Sequence, residues 1–191
     1  MRSNGGSGDG NPEGPEGRPA PQGRGLEVVD RQGLQARIDE GLALPPIGVL
    51  LIEWDAVPGP TVESTRPAAQ DPIVGAVLAE AGPADTVVST GPGQLGLVRR
   101  ALTAPAEAES QAHRIAARFR AAGDRPDAPA PTWAIGVAVS HRSDTAADLL
   151  RYAEHALTDA QLLGGDRVVP FEDADRLLLD AGADADPPDE R

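Results

Sequence analysis

Two nearly continuous apolar runs, IGVLLIEWDAV (Ile47–Val57) and TWAIGVAVS (Thr132–Ser140), constrain this chain more than any other feature. Each has the length of a strand, and neither shows the strict alternation of a half-solvated one. A strand that is apolar on both faces must be covered on both, which places these two inside a sheet with helices on either side. The chain supplies the helices. VVDRQGLQARIDEGLA repeats Leu34, Ile38 and Leu42 four residues apart, a helical stripe. DPIVGAVLAEAG reads as a helix with Asp71 as N-cap, Pro72 at the first position and Gly82 past the end. PAEAESQAHRIAARFRAAG begins with proline and acids and ends with arginines and Gly123, which suits the helix dipole at both ends. SDTAADLLRYAEHALTDAQLLGG carries Leu149, Ala153, Ala156, Leu157 and Ala160 on one stripe, and its Thr145-x-x-Asp148 start approximates a capping box.

Between the second and third helices lies VVSTGPGQLGLV (Val87–Val98), two short strands around Gly91-Pro92-Gly93-Gln94. RVVPF reads as a last strand, and EDADRLLLD adds a helical turn. The order is helix, strand, helix, hairpin, helix, strand, helix, strand. It predicts an α/β (α+β) domain with one mixed sheet, close to the ferredoxin-like and nucleotidyl-cyclase arrangement.

Composition bounds the function. With 40% hydrophobic but only 3% aromatic residues, the core must be built from Ala, Val, Leu and Ile. A formal net charge of -13 argues against nucleic acid or an anionic membrane as the main partner. Cysteine is absent, which excludes disulfides, thiolate metal sites and cysteine nucleophiles. No apolar run approaches the roughly 20 residues of a bilayer span, and the N-terminus lacks the apolar segment of a signal peptide, so a cytoplasmic protein is expected. Residues 1–24 are mostly Gly, Pro and charge and read as a disordered tail, residues 25–180 as the domain, and residues 181–191 as an acidic disordered tail.

WAIGVAVS followed by ADLLRYAEHALTDAQLLGGDRVV resembles the end of GGDEF domains, the diguanylate cyclases, where a strand of type SIGVA precedes a helix of type ADxALYxAKxxGRNRV. Other segments follow in register. GLQAR (Gly33–Arg37) is similar to the opening GLxNR element, LLIEWDAV (Leu50–Val57) to the first strand LLxDxDxFK, and ADTVVSTGPGQLGLV to the DxxxRxGGDEFxxL hairpin. The resemblance spans residues 28–171 and implies a GGDEF-type topology.

The family's chemistry joins two GTP molecules, with a divalent metal held between a first-strand carboxylate and one in the hairpin turn. On this resemblance Glu53 stands where the family has the first Asp, and Asp55 matches the second. Gly91, Pro92, Gly93, Gln94 and Leu95 fill the five signature places, so both acidic positions, Gly93 and Gln94, are neutral. Pro92 removes an N–H, and Pro-Gly suits a type II turn. The lysine and asparagine after the first strand fall in AVPGPTVES, which has neither. The phosphate-binding cations of the last helix and loop align with Gln161 and Gly165. The inhibitory-site motif RxxD aligns with Gly82–Asp85, where Asp85 survives and the arginine does not.

Other candidates read plainly. Glu53 and Asp55 are the candidates for a residual metal pair, of which we expect one at most to face the site. His113, His141 and His155 lack metal-ligand spacing, Trp54 and Trp133 read as core, Ser140-His141 is discounted as a nucleophile, and the arginines of RIAARFR read as a solvated face. The expected function is a catalytically inactive GGDEF-like domain acting as a regulatory or protein-interaction module, with no cofactor and with a protein partner, a second copy of this chain included. The alternatives are a residual GTP or cyclic di-GMP sensor or weak cyclase, for which Mg2+ would be the cofactor, and a plain structural ferredoxin-like module.

Overall fold

The computed structural model describes residues 26–55, 72–123 and 132–172. In chain order the elements are β1 (Glu27–Val28), α1 (Arg31–Leu42), β2 (Gly48–Trp54), α2 (Pro72–Glu80), β3 (Thr86–Gly91), β4 (Gln94–Arg99), α3 (Ala106–Gly123), β5 (Trp133–Val139), α4 (Ala146–Leu162) and β6 (Arg167–Pro170). The two expected tails, the Asp71 cap, the AVPGPTVES segment after the first strand and the C-terminal helical turn lie outside the described residues.

The strands form one mixed sheet in the order β1-β3-β4-β2-β5-β6. β2 pairs antiparallel with both β4 and β5, while β1 joins β3 and β6 joins β5 in parallel. The segment β2-α2-β3-β4-α3-β5 is thus a β-α-β-β-α-β unit of ferredoxin-like type, extended by α4 and β6. The mixed α/β fold expected from the sequence is the one observed. β1 was not legible: two residues carry no periodicity.

Each face of the sheet has its own core. Leu34 and Ile38 of α1 and Leu149, Leu150, Tyr152 and Ala153 of α4 pack on Val49, Leu51, Val88, Val98 and Ala138. On the other face, Ile73 and Val77 of α2 and Ala112, Ile115 and Phe119 of α3 pack on Leu50, Ile52, Leu97, Ile135 and Val137. Alternate residues of β2 therefore serve opposite cores, as a pleated strand requires. That is why its sequence shows no polar alternation. α4 seats so closely on β5 that a Cβ on Gly136 would lie 2.3 Å from the backbone nitrogen of Leu157.

The helix ends follow local chemistry. Asp30 caps α1, accepting from the Gly33 N–H at 2.8 Å. At α4 the start is a complete capping box: Thr145 Oγ1 accepts from the Asp148 N–H, and the Asp148 carboxylate accepts from the Thr145 N–H. Aspartate is shorter than the usual glutamate, yet it reaches. The pairing with Thr145 holds the Asp148 carboxyl below its ordinary pKa.

The arginines of α3 are engaged rather than merely solvated. Arg114 and Arg118 both donate to Glu80 at the end of α2, at 2.9 and 2.5 Å, and Arg120 lies over the Trp133 ring at 5.3 Å. Hydrogen bonds from Arg118 and then Arg114 hold the Glu80 carboxyl below its usual pKa, against a smaller opposing effect of burial. A lowered folded-state pKa gives stability that is complete above the ordinary carboxylate value and is lost as pH falls through the lowered one. Glu80→Gln should therefore be less stable than the parent at neutral pH, by on the order of 1 kcal/mol after solvent screening at the half-exposed arginines. The difference should shrink toward zero in acid. Urea unfolding of both chains across the acid range measures it, and a gap that widens on acidification would refute the pairing.

Candidate functional site

The ends of β2 and β4 meet below the turn that joins β3 to β4. Pro92 and Gly93 are the two connecting residues, and Gly91 and Gln94 pair across them. Gly93 has φ +71°, the value that the third position of a type II turn needs and that glycine adopts without strain. A type II turn tends to splay a hairpin, and a register shift between Ser89 and Gly91 absorbs the mismatch. The turn is also tied to β2: the Trp54 N–H donates to the Gly93 carbonyl at 3.0 Å. A Cβ on Gly93 would stand 2.6 Å from the Trp54 carbonyl oxygen. The third signature place therefore has no room for any side chain.

Below the turn, Glu53 and Gln94 are direct cross-strand partners. The Gln94 amide Nε2 donates to Glu53 Oε2 at 2.9 Å. A carboxylate only accepts, so the amide must present its NH2 to it. Leu95, one residue on, points to the opposite face and is 1% exposed in the core.

These residues open onto a cleft of about 320 Å³ between the strand ends and helices α1 and α4. Its floor is Leu34, Leu51, Leu150 and Leu157, with Glu53 and Gln94 on one side and Arg31, Glu154 and Gln161 on the other. The structure thus brings Glu53, Gln94 and Gln161 together. It also adds Arg31, which sequence reasoning missed. Arg31 Nε and Nη2 each donate to Glu154 at 2.8 Å, a bidentate pair between α1 and α4. That hydrogen bonding raises the Arg31 pKa further, against a smaller desolvation effect. The two residues lie 123 apart in sequence, and no local pattern joins them.

Gly165 lies in a neighbouring shallow depression with Glu53, Asp55, Thr132 and Gly164. Its φ is +72°, and a Cβ there would meet Thr132 Cγ2 at 2.6 Å. A cationic side chain there would be strained by the backbone and would press on Thr132. The chain's 17 basic residues are moreover all arginines.

The expectation that Glu53 and Asp55 would not share a site needs correction. Residues two apart on a strand share a face, and both line this depression. Of the two, only Glu53 also lines the cleft below the turn; β2 ends at Trp54, and exposed Asp55 donates its N–H to the Thr132 carbonyl at 2.9 Å. Asp85 is turned inward, its side chain only 2% exposed. It accepts from the Gly82 N–H, Gln111 Nε2 and Arg99 Nη1 at 2.7, 3.0 and 3.3 Å. Ser140 is structural: its Oγ accepts from the Ile47 N–H at 2.9 Å. Trp133 is core, while Trp54 is only half-buried.

A divalent cation of the family's kind does not fit these donors. It would need carboxylates from β2 and from the turn. The turn offers none, and the amide beside Glu53 presents positively polarised hydrogens where a cation would sit. Among the described residues, no three His, Asp or Glu side chains cluster as metal ligands.

Known proteins bear out the architecture. No family model and no curated protein matches the sequence. Among solved structures, the GGDEF domain of TpbB (or YfiN) from Pseudomonas aeruginosa superposes with TM-score 0.62 at 20% identity, over 80% of this chain and 95% of that one. The GGDEF domain of DgcB from Caulobacter crescentus, in complex with c-di-GMP, gives TM-score 0.61 at 14% identity, over 83% of this chain and 99% of that one. The active GGEEF domain of a diguanylate cyclase from Vibrio cholerae gives TM-score 0.56 at 15% identity, over 76% and 99%. The chain has the fold of a GGDEF domain.

Writing acids back into the turn should cost stability. In the triple variant Pro92→Gly, Gly93→Asp, Gln94→Glu, loss of proline costs about 0.4–1 kcal/mol, and a strained positive-φ aspartate adds about 1–3 kcal/mol. The new glutamate would also face Glu53. Denaturant unfolding should show the variant less stable by at least the sum of those costs, because the new Cβ also presses on the Trp54 carbonyl; a midpoint at or above the parent's would show that the turn tolerates the family signature.

Proposed function

We propose that this chain is a degenerate member of the GGDEF family, without diguanylate cyclase activity, that works as a regulatory module through protein contacts. The Gln94–Glu53 hydrogen bond carries the reading, because it puts an amide where the chemistry needs a second carboxylate. Charge supports it. Arg31 is neutralised by Glu154, which among the described residues leaves the cleft with the single negative charge of Glu53 against an incoming triphosphate. An acidic surface adds repulsion at longer range. Among the described residues no helix is long and apolar enough to cross a membrane.

Purified protein given GTP with magnesium or manganese should make no cyclic di-GMP above a protein-free blank. Calorimetry should find neither GTP nor cyclic di-GMP bound as tightly as the low micromolar range, about -8 kcal/mol. Product formation that Glu53→Ala abolishes would overturn the proposal, as would tight nucleotide binding. The triple turn variant should stay inactive too, since it restores the acids without the phosphate-binding cations.

A further inference from the structure

We propose that the cleft between Glu53 and the α1–α4 wall is a receptor for a guanidinium on an aliphatic stem: an arginine side chain presented by a partner protein. The inference rests on the protein-contact reading above and names the group that such a partner inserts.

The chemistry of the lining points there. Leu34, Leu51 and Leu150 of the floor are all buried residues of one core, so the base of the cleft is an apolar surface fit for methylenes. Long cationic side chains bury their stems on such surfaces while the charged head seeks acceptors. The head has acceptors here. Gln94 occupies Glu53 Oε2 only, and among the described residues Glu53 meets no cation, so a full negative charge stands at the cleft edge with acceptor capacity in hand. Gln161 lines the opposite side and brings a second side-chain amide to the opening.

The opposite wall already holds this recognition in intramolecular form. Arg31 lies flat on Glu154 with two parallel bonds of 2.8 Å. Among the described residues, that pair leaves Glu53 as the uncompensated charge of the cleft. A planar fork matches a carboxylate with neighbouring carbonyl acceptors better than a point-like ammonium does, which favours arginine over lysine. Phosphate-bearing ligands meet a charge of their own sign there. The net charge of -13 steers cationic segments toward the protein.

The test is a heteronuclear NMR titration of the full chain with acetyl-Gly-Arg-Gly-amide, agmatine, acetyl-Gly-Leu-Gly-amide and GTP. The arginine peptide should move the Gln94 side-chain amide and the Glu53 and Gln161 backbone resonances saturably, in the millimolar range, and the leucine peptide should not. Binding should weaken on adding salt. Glu53→Gln keeps the size of the side chain and removes its charge, and should weaken the peptide on the order of tenfold; its spectrum reports directly that the fold is retained. Agmatine should bind no tighter than the peptide. Agmatine binding tenfold tighter would overturn a protein-borne source, and a silent arginine peptide, or one indifferent to Glu53→Gln, would overturn the site. If GTP is silent or binds only weakly, only this inference falls; if GTP moves the same resonances and saturates in the low micromolar range, the proposed function falls with it.

Discussion

The antiparallel register of β2 with β4 sets Glu53 opposite Gln94, and the rest of this end of the sheet is arranged around that pair. A lone carboxylate at a strand end needs a donor, a cation or water. A cross-strand amide satisfies one oxygen within the protein and asks for no metal. The same register closes the turn, because it brings Trp54 against Gly93 and uses the carbonyl of one and the N–H of the other. Side-chain chemistry and backbone closure are thus two results of one strand pairing.

Measured against the GGDEF signature, this chain differs in its backbone as well as in its side chains. Gly93 and Gly165 both sit at positive φ with a neighbour inside the space a Cβ would take. Pro92 fixes the turn from the other side and removes a donor. Across the cleft, Arg31 is bound to a carboxylate of the protein itself rather than turned toward a ligand. The GGDEF-type fold has its two cores on either face of the sheet, and at this end of it the side chains and backbone are held by one another.

Much of this was legible in the sequence because it was local. Apolar runs marked β2 and β5, four-residue spacing marked α1 and α4, and Pro92-Gly93 announced its own turn. What escaped was set by tertiary contact. β1 is a strand only because β3 lies beside it. Arg31 and Glu154 meet only once α1 and α4 pack on the same face of the sheet. Asp85 looked like the survivor of a binding motif, yet its carboxylate is enclosed by Gln111 and Arg99, which come from α3 and β4. The cap of α4 was underrated because aspartate is a short third residue for a capping box. Glu53 and Asp55 were separated in expectation although strand geometry puts them on one side; what distinguishes them is that β2 ends between them.

The proposal that an amide stands where a cation would otherwise be held is open to a direct measurement. Manganese is paramagnetic and broadens the amide resonances of whatever residues hold it. With substoichiometric Mn2+ and no nucleotide, the resonances of Glu53, Gly93 and Gln94 should broaden no more than those of exposed carboxylate residues elsewhere, such as Asp39. Selective loss of the Glu53, Gly93 and Gln94 signals, reversed by excess magnesium, would show a working metal site and contradict the account.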